Sequence, residues 1–141
     1  MTREKIEQFF AKRNEAWNRH DVAALTADHA EDGEVESPVW GHVRGRQSIQ
    51  DIYIQWFSSF PDAEFFTEHL VIDGDRAVQI GKMVGIHKGL FCGLAPTGKR
   101  FTIHCAFLFF FAESGIVREI RTYDFTAMLL QLGVLAAKPA F

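Results

Sequence analysis

The sequence predicts an α+β domain, and three observations predict it. Helical apolar periodicity marks three segments of the first 59 residues, strand-like runs dominate 64–123, and hairpin turns and one Gly-rich loop join those runs. Helices followed by a meander of strands belong to α+β architecture, not to a parallel sheet with alternating helices. The length of 141 residues fits one domain spanning 1–141. A hydrophobic fraction of 48% fits a globular chain that buries its core without disulfides.

Residues 3–18 read as a helix because Ile6, Phe9, Phe10, Arg13 and Trp17 recur at three- and four-residue steps. Asp21 is suited to cap a second helix, with Val22, Leu25, Thr26 and His29 on one side. Gly33 closes that pair. Residues 34–39 form a short strand ended by Pro38 and Gly41, and 41–45 form a loop. The third helix, 46–59, carries Ile49, Ile52, Tyr53, Trp56 and Phe57, and Phe60-Pro61-Asp62 stops it. Residues 64–72 are a strand, Asp73-Gly74-Asp75 is a hairpin turn of the Asp-Gly type, and 76–87 is the next strand. A loop over 88–100 carries Pro96 and Gly98. Strands at 101–111 and 116–123 flank a turn at Glu113-Ser114-Gly115, and a short apolar helix covers 126–132.

The strand at 101–111 is apolar on both faces. One side presents Phe101, Ile103, Cys105, Phe107, Phe109 and Phe111, and the other Thr102, His104, Ala106, Leu108 and Phe110. A strand buried on both faces needs two covers. Three helices cover one face, so the second calls for another subunit, a homodimer through the sheet.

Fourteen Phe and three Trp exceed the packing needs of a small domain and suit an apolar cavity, an interface or a Phe-rich core. A net charge of −3 without a Lys/Arg block argues against a nucleic-acid partner. Cys92 and Cys105 have no metal-like spacing, which fits inert thiols in a cytoplasmic protein. No apolar run reaches membrane-span length, and the charged first residues have no signal-peptide pattern. The six His are scattered, so no metal site is expected, and neither a dinucleotide nor a P-loop motif occurs.

Asp124 stands between a strand and a helix, beside the most apolar run of the chain. Two readings stay open for it. It caps the helix that follows, or its carboxylate is desolvated, its pKa rises, and it moves protons near neutral pH. A three-residue loop with Gly115 left-handed sets His104 opposite Asp124 on one face. An even-numbered loop turns His104 away. His87, at the end of a strand, is either a turn residue or a group at the cavity mouth.

Several motifs carry a resemblance. W-N-R-H-D-V-A-A-L (17–25) and A-E-D-G-E-V-E-S-P-V-W-G (30–41) resemble the nuclear-transport-factor-2-like superfamily. G-R-Q-S-I-Q-D-I-Y (45–53), S-F-P-D (59–62), G-I-H-K-G-L-F-C-G-L-A-P-T-G-K-R (85–100) and Y-D-F-T-A-M-L-L-Q-L-G (123–133) are similar to the SnoaL-like polyketide cyclases, or ester cyclases. The resemblance implies a cone-shaped, curved antiparallel sheet wrapped around three N-terminal helices, with a deep apolar pocket. It implies intramolecular aldol chemistry on an apolar carbonyl ligand without metal or cofactor, with the acid/base on Asp124; hairpin counting makes His104 its partner. By pattern and fold analogy Trp17, Trp40, Tyr53, Phe57, Phe66 and Met83 become pocket walls. Ser37 replaces the Asp of the ketosteroid-isomerase V-E-D-P pattern, which argues against that activity. A dehydratase set could be imitated by His87, His104, Asp124 and Tyr53. A pocket that binds an apolar ligand without chemistry is the further alternative.

Overall fold

A computed structural model describes residues 1–136. Thr2 caps α1 (Arg3–Asn18) by accepting from the Lys5 N–H, and Asp21 caps α2 (Val22–Ala27) by accepting from the Ala24 N–H at 3.0 Å. Helix α3 (Arg46–Ser59) follows Gly45, whose φ of 90° turns the chain out of the preceding strand. The strands are β1 (His29–Ser37), β2 (Gly41–Arg44), β3 (Glu64–Asp73), β4 (Arg76–Ile86), β5 (Arg100–Ala112) and β6 (Gly115–Tyr123), and α4 (Phe125–Gln131) follows. They form one curved, unclosed sheet in the order β2-β1-β6-β5-β4-β3. The fold class is the α+β one the sequence predicts. No helix among the described residues is long and apolar enough to cross a membrane.

Two local expectations are corrected. Gly33 does not close the helical pair but lies within β1, which begins at His29 and runs parallel to β6. A Cβ at Gly33 would crowd the carbonyl oxygens of Ala30 and Ile116, so the missing side chain lets two strands approach. The expected loop at 41–45 is strand β2, paired antiparallel with β1.

The inner face of β5 is the floor of the core. Phe101, Ile103, Cys105, Phe107, Phe109 and Phe111 are all buried. Phe10 of α1 meets Phe109 edge-on at 5.0 Å, and Phe9 meets Phe111 at 5.1 Å. Edge-to-face pairs of this kind add to the burial of apolar surface that holds the helices on the sheet. On the outer face Ala106, Leu108 and Phe110 are half-buried, while Thr102 and His104 are exposed.

Register sets which inner residues lie side by side. Gln79, Phe107 and Arg121 form one cross-strand row, and Ala77, Phe109 and Glu119 form the next. The β5–β6 turn is a two-residue loop, Glu113-Ser114, closed by Ala112 and Gly115. Between Phe110 and Phe111 the register shifts by one residue. That bulge restores the pairing expected of a three-residue loop: Cys105 faces Tyr123, and the next position sets His104 level with Asp124.

Gly81 faces the irregularity in β3, and a Cβ there would collide with the Phe66 carbonyl oxygen. The Phe66 backbone and the buried Phe65 ring leave little room to relax. Gly81→Ala is expected to destabilise the chain by about 2 kcal/mol or more, as overpacking does, measured by urea unfolding with the folded circular-dichroism spectrum retained.

Candidate functional site

A hollow lies between the helices and the inner sheet face. Helix α1 contributes Arg13, Asn14 and Trp17, and α3 contributes Ile52, Tyr53 and Trp56. Both sets follow an i, i+1, i+4 spacing, which puts three side chains on one helix face. The turn before β2 adds Trp40; β3 and β4 add Phe65, Gln79 and Met83; β5 and β6 add Phe107, Phe109, Glu119, Arg121 and Tyr123. Counted together with the open solvent at its mouth, the empty space is about 570 Å³. The walls are mostly aromatic, with a few polar groups set among them, as in a typical small-molecule site.

Those polar groups form a buried charge network. The Arg121 guanidinium donates to both carboxylate oxygens of Glu119, Nε to Oε2 at 2.7 Å and Nη2 to Oε1 at 3.2 Å. Arg13 lies 3.6 Å from Glu119 Oε1 and donates to Asp28 at 3.1 Å. Both guanidiniums also donate to the Tyr53 hydroxyl, Arg13 at 2.7 Å and Arg121 at 3.0 Å. A guanidinium can only donate, so these bonds occupy the acceptor side of the phenol oxygen. The hydroxyl proton then points to His29 Nε2, 2.9 Å away. His29 is therefore the neutral tautomer with its proton on Nδ1.

Electrostatics agree with that count. Burial, reinforced by Arg13, pushes the His29 pKa down to about 3, against the opposing pull of Glu119. Burial alone would raise the Glu119 carboxyl, but Arg121 and then Arg13 outweigh it and hold it at about 2. Burial raises the Asp28 carboxyl despite Arg13, and it lifts the Tyr123 phenol to about 12. At neutral pH the cluster holds two guanidiniums against two carboxylates, with Tyr53 and His29 between them. Among the described residues no group of three or more His, Cys, Asp or Glu side chains could hold a metal ion.

The family model for the SnoaL-like polyketide cyclase matches residues 8–132. The chain belongs to the SnoaL-like polyketide cyclase family. Comparison with curated proteins finds no match. Among solved structures, AclR of Streptomyces galilaeus, a candidate hydroxylase, superposes with a TM-score of 0.85 at 21% identity, covering 99% of this chain and 87% of that one. A SnoaL-like polyketide cyclase from Agrobacterium tumefaciens gives 0.72 at 22% identity, covering 88% and 94%. A Catenulispora acidiphila protein with a ketosteroid isomerase-like fold, in complex with trimethylamine, gives 0.73 at 21%, covering 88% and 92%. At these identities the structures establish the fold that the SnoaL-like chain shares.

Of the residues singled out in this SnoaL-like sequence, Trp17, Trp40, Tyr53 and Met83 line the hollow. Phe57 is buried behind Trp17, edge-on at 4.9 Å, and stacks on His20 at 4.1 Å. Phe66 is half exposed on the outer face, because strand alternation turns it opposite to Phe65. His87 is fully buried among Phe60, Phe91 and Thr97 and does not line the hollow. His104 lies on the outer face with 77% of its side chain exposed, 4.0 Å from Glu68. Asp124 is exposed and accepts from the Ala127 N–H at 2.9 Å, so its carboxylate caps α4 outside the hollow. The set His87, His104, Asp124 and Tyr53 is not brought together.

Arg13, His29, Glu119 and Arg121 were not recognised as a site, although signals existed. Arg13 interrupts the apolar stripe of α1. Glu119 and Arg121 share the parity of Tyr123, facing the same side as the buried Phe of β5. Two charges on the inward phase of a strand mark a built polar site, because unpaired charges there would unfold the sheet.

Two outcomes follow. Asp124→Ala is expected to lose about 1 kcal/mol of stability, the worth of an N-cap, while ligand binding in the hollow is unchanged, measured by thermal unfolding and fluorescence titration. His29 binds a proton more readily unfolded than folded, since its folded pKa lies near 3 and its ordinary value near 6.5. Stability is therefore lost as pH falls below 6.5, by about 1–2 kcal/mol at pH 5. Urea unfolding across that range should show the loss, and His29→Gln should flatten it.

Proposed function

We propose that this chain is an acid/base enzyme of the SnoaL-like polyketide cyclase type that moves a proton on an apolar carbonyl substrate. The reaction class is an intramolecular aldol-type closure or a related proton transfer, run by protein groups without a cofactor. The observation that carries this reading is the Tyr53 hydroxyl. It sits in a mostly aromatic hollow, holds two guanidinium donors, and points its proton at a buried neutral imidazole. Family membership and the cyclase neighbours support the same class.

The parts divide as follows. On binding, the substrate carbonyl oxygen takes the Arg121 N–H over from Tyr53; with its own proton passed to His29, the Tyr53 oxygen receives the proton alpha to the carbonyl, leaving an enolate, and the same proton is returned to the product. His29, behind Tyr53, takes or returns the phenol proton. Glu119 lies 3.8 Å from His29 Nε2 and offsets the positive charge that this transfer creates. Arg121, which lines the hollow, stabilises an enolate or alkoxide oxygen as it develops. Glu119, whose two oxygens are both engaged by Arg121, acts as the clamp on Arg121. The mostly aromatic walls exclude water and hold the carbon skeleton.

A homodimer through the open sheet face belongs to the same proposal. Val71, Val78, Leu108 and Ile120 face each other in one register row across four strands, and Ile80 is 37% exposed beside them. An apolar row on the outer antiparallel face fits a second copy.

Two measurements test these readings. Hydrogen–deuterium exchange alpha to the carbonyl of alpha-tetralone, followed by NMR in heavy water, is expected to be accelerated by the chain. Tyr53→Phe should lower that rate about 10²-fold or more while folding is kept, the scale of acid/base loss. A rate unchanged in Tyr53→Phe removes Tyr53 from the chemistry, and binding without any exchange favours a non-catalytic pocket. Leu108→Glu is expected to convert a dimer to a monomer by light scattering; a parent chain that is already monomeric overturns the dimer.

A further inference from the structure

Among the described residues the buried side-chain nitrogens and oxygens without a hydrogen-bond partner are Thr26 Oγ1, His29 Nδ1, Trp56 Nε1, His87 Nε2 and Arg118 Nε. Of these residues Trp56 alone lines the hollow. It is 7% exposed, and its ring neighbours are Phe60 at 4.7 Å, Phe91 at 5.9 Å, Phe101 at 6.1 Å and Tyr123 at 6.3 Å. The three Phe rings carry no lone pair for an indole N–H. A buried donor left without an acceptor is costly, and a Phe in this wall would cover much of the same surface without that cost. The proposed chemistry leaves this donor unused.

Tyr123, beside Trp56, is a second donor in the wall of the hollow. Burial lifts its phenol to about 12, against the opposing effect of Arg121 and of hydrogen bonding by Val39 and Ser37, so the proton stays on at neutral pH. The Ser37 hydroxyl accepts from the Trp40 N–H at 3.1 Å and meets the Tyr123 oxygen as a donor, which leaves the phenol proton free. An indole N–H only donates, and this phenol has its proton to offer. The pair suits an oxygen that accepts two hydrogen bonds, a carbonyl or an alkoxide. A hydroxyl suits it less, because its own proton finds no acceptor there.

Position sets this pair next to the Tyr53 site. Tyr53 and Trp56 both belong to α3, one step of about 4.5 Å apart along the helix axis. Arg121 and Tyr123 are alternate residues of β6, about 7 Å apart along the strand. Tyr53 meets Arg121 at 3.0 Å, and the Trp56 ring meets the Tyr123 ring at 6.3 Å, so the same helix–strand contact occurs twice in succession. Two oxygens on one small molecule, set a few carbons apart, span that step. An aldol product carries such a pair: the oxygen of the carbonyl that was enolised and the oxygen of the carbonyl that was attacked.

We infer that the Trp56 N–H and the Tyr123 hydroxyl are the donors for the carbonyl that the enolate attacks, and so commit an enolate formed at Tyr53 to ring closure over reprotonation in place. This inference rests on the proposed enolisation at Tyr53. In the closing step the enolate carbon bonds to the second carbonyl carbon, the π electrons of that C=O move onto its oxygen, and the two donors stabilise the negative charge there. That oxygen then takes the proton that Tyr53 removed from the alpha carbon, so reactant and product are isomers.

The test uses two probes. One is a diketone with a benzoyl group, three methylenes and an acetyl group, whose acetyl methyl can close on the benzoyl carbon. The other is the same chain with a methylene in place of the benzoyl carbonyl. By calorimetric titration the diketone is expected to bind about tenfold tighter, the worth of a hydrogen bond or two in a closed site. Trp56→Phe and Tyr123→Phe should each bring that ratio towards one; Tyr123→Phe removes only a hydroxyl and carries the test if Trp56→Phe does not fold. By NMR, each should lower ring closure of the diketone about tenfold more than it lowers exchange of the acetyl methyl hydrogens in the monoketone, as loss of a donor to a developing oxyanion does. A binding ratio near one in the parent chain, a ratio unchanged in both variants, no binding of either probe, or a diketone that is exchanged but never closed overturns the inference; the first of these leaves the indole N–H resting on an aromatic ring. If both ratios move as expected while Tyr53→Phe exchanges at the parent rate, the enolising site is misplaced and the second donor pair stands.

Discussion

The buried pairing of Arg121 with Glu119 is the constraint on which the rest of the site depends. Both groups are almost fully out of water, and taking them there separately would cost several kcal/mol each. The fork geometry, with two hydrogen bonds between one guanidinium and one carboxylate, offsets that cost. It also leaves Arg121 a further N–H for Tyr53. Arg13 repeats the arrangement from the opposite side, held between Asp28, Glu119 and Tyr53. The network ties α1, β1, α3 and β6 around one phenol oxygen. Removing one charge would leave its partner buried and unpaired, which costs more than the pair contributes. The geometry of the site and the folding of the chain are thus held by the same bonds.

That coupling explains why the fold was easier to read than the site. Helix periodicity located α1 and α3 because tertiary packing uses the same stripe of residues that the sequence displays, Ile6 and Phe10 in one case and Ile49 and Tyr53 in the other. The hairpins between β3 and β6 were legible because local turns set them. The parallel join of β1 to β6 was not, since it depends on residues some 85 positions apart in the chain, a long-range pairing that no local pattern encodes. Glu-rich β1 also lacks the apolar alternation that marks a half-buried strand.

The site failed to show for a different reason. Asp124 drew notice as a carboxylate near an apolar run, but nearness in sequence does not state which way a side chain turns. The residue after a strand is free to cap a helix, and Asp124 does so. The register argument about His104 held at its level in the ladder, yet the shared face is the outer one. Glu119 and Arg121 carried the better signal, since parity alone assigns them to the inner face. Their charge made them look like surface residues, as charged residues usually are.

The geometry also separates two jobs that one carboxylate is often asked to do. An acid/base group must change charge easily, whereas a clamp must not. Held at about 2 by Arg121 and Arg13, Glu119 stays ionised across the working range of pH and is suited to fixing its partners. Tyr53 has the other kind of position. Its oxygen lies between two donors that do not titrate near neutrality and one imidazole able to accept. In the proposed chemistry, displacement of a proton along that line creates a phenolate flanked by guanidiniums and an imidazolium beside Glu119, so each new charge meets an opposite one already in place. Preorganisation of this kind requires no rearrangement at the moment of reaction, and the cost of assembling it is met when the chain folds.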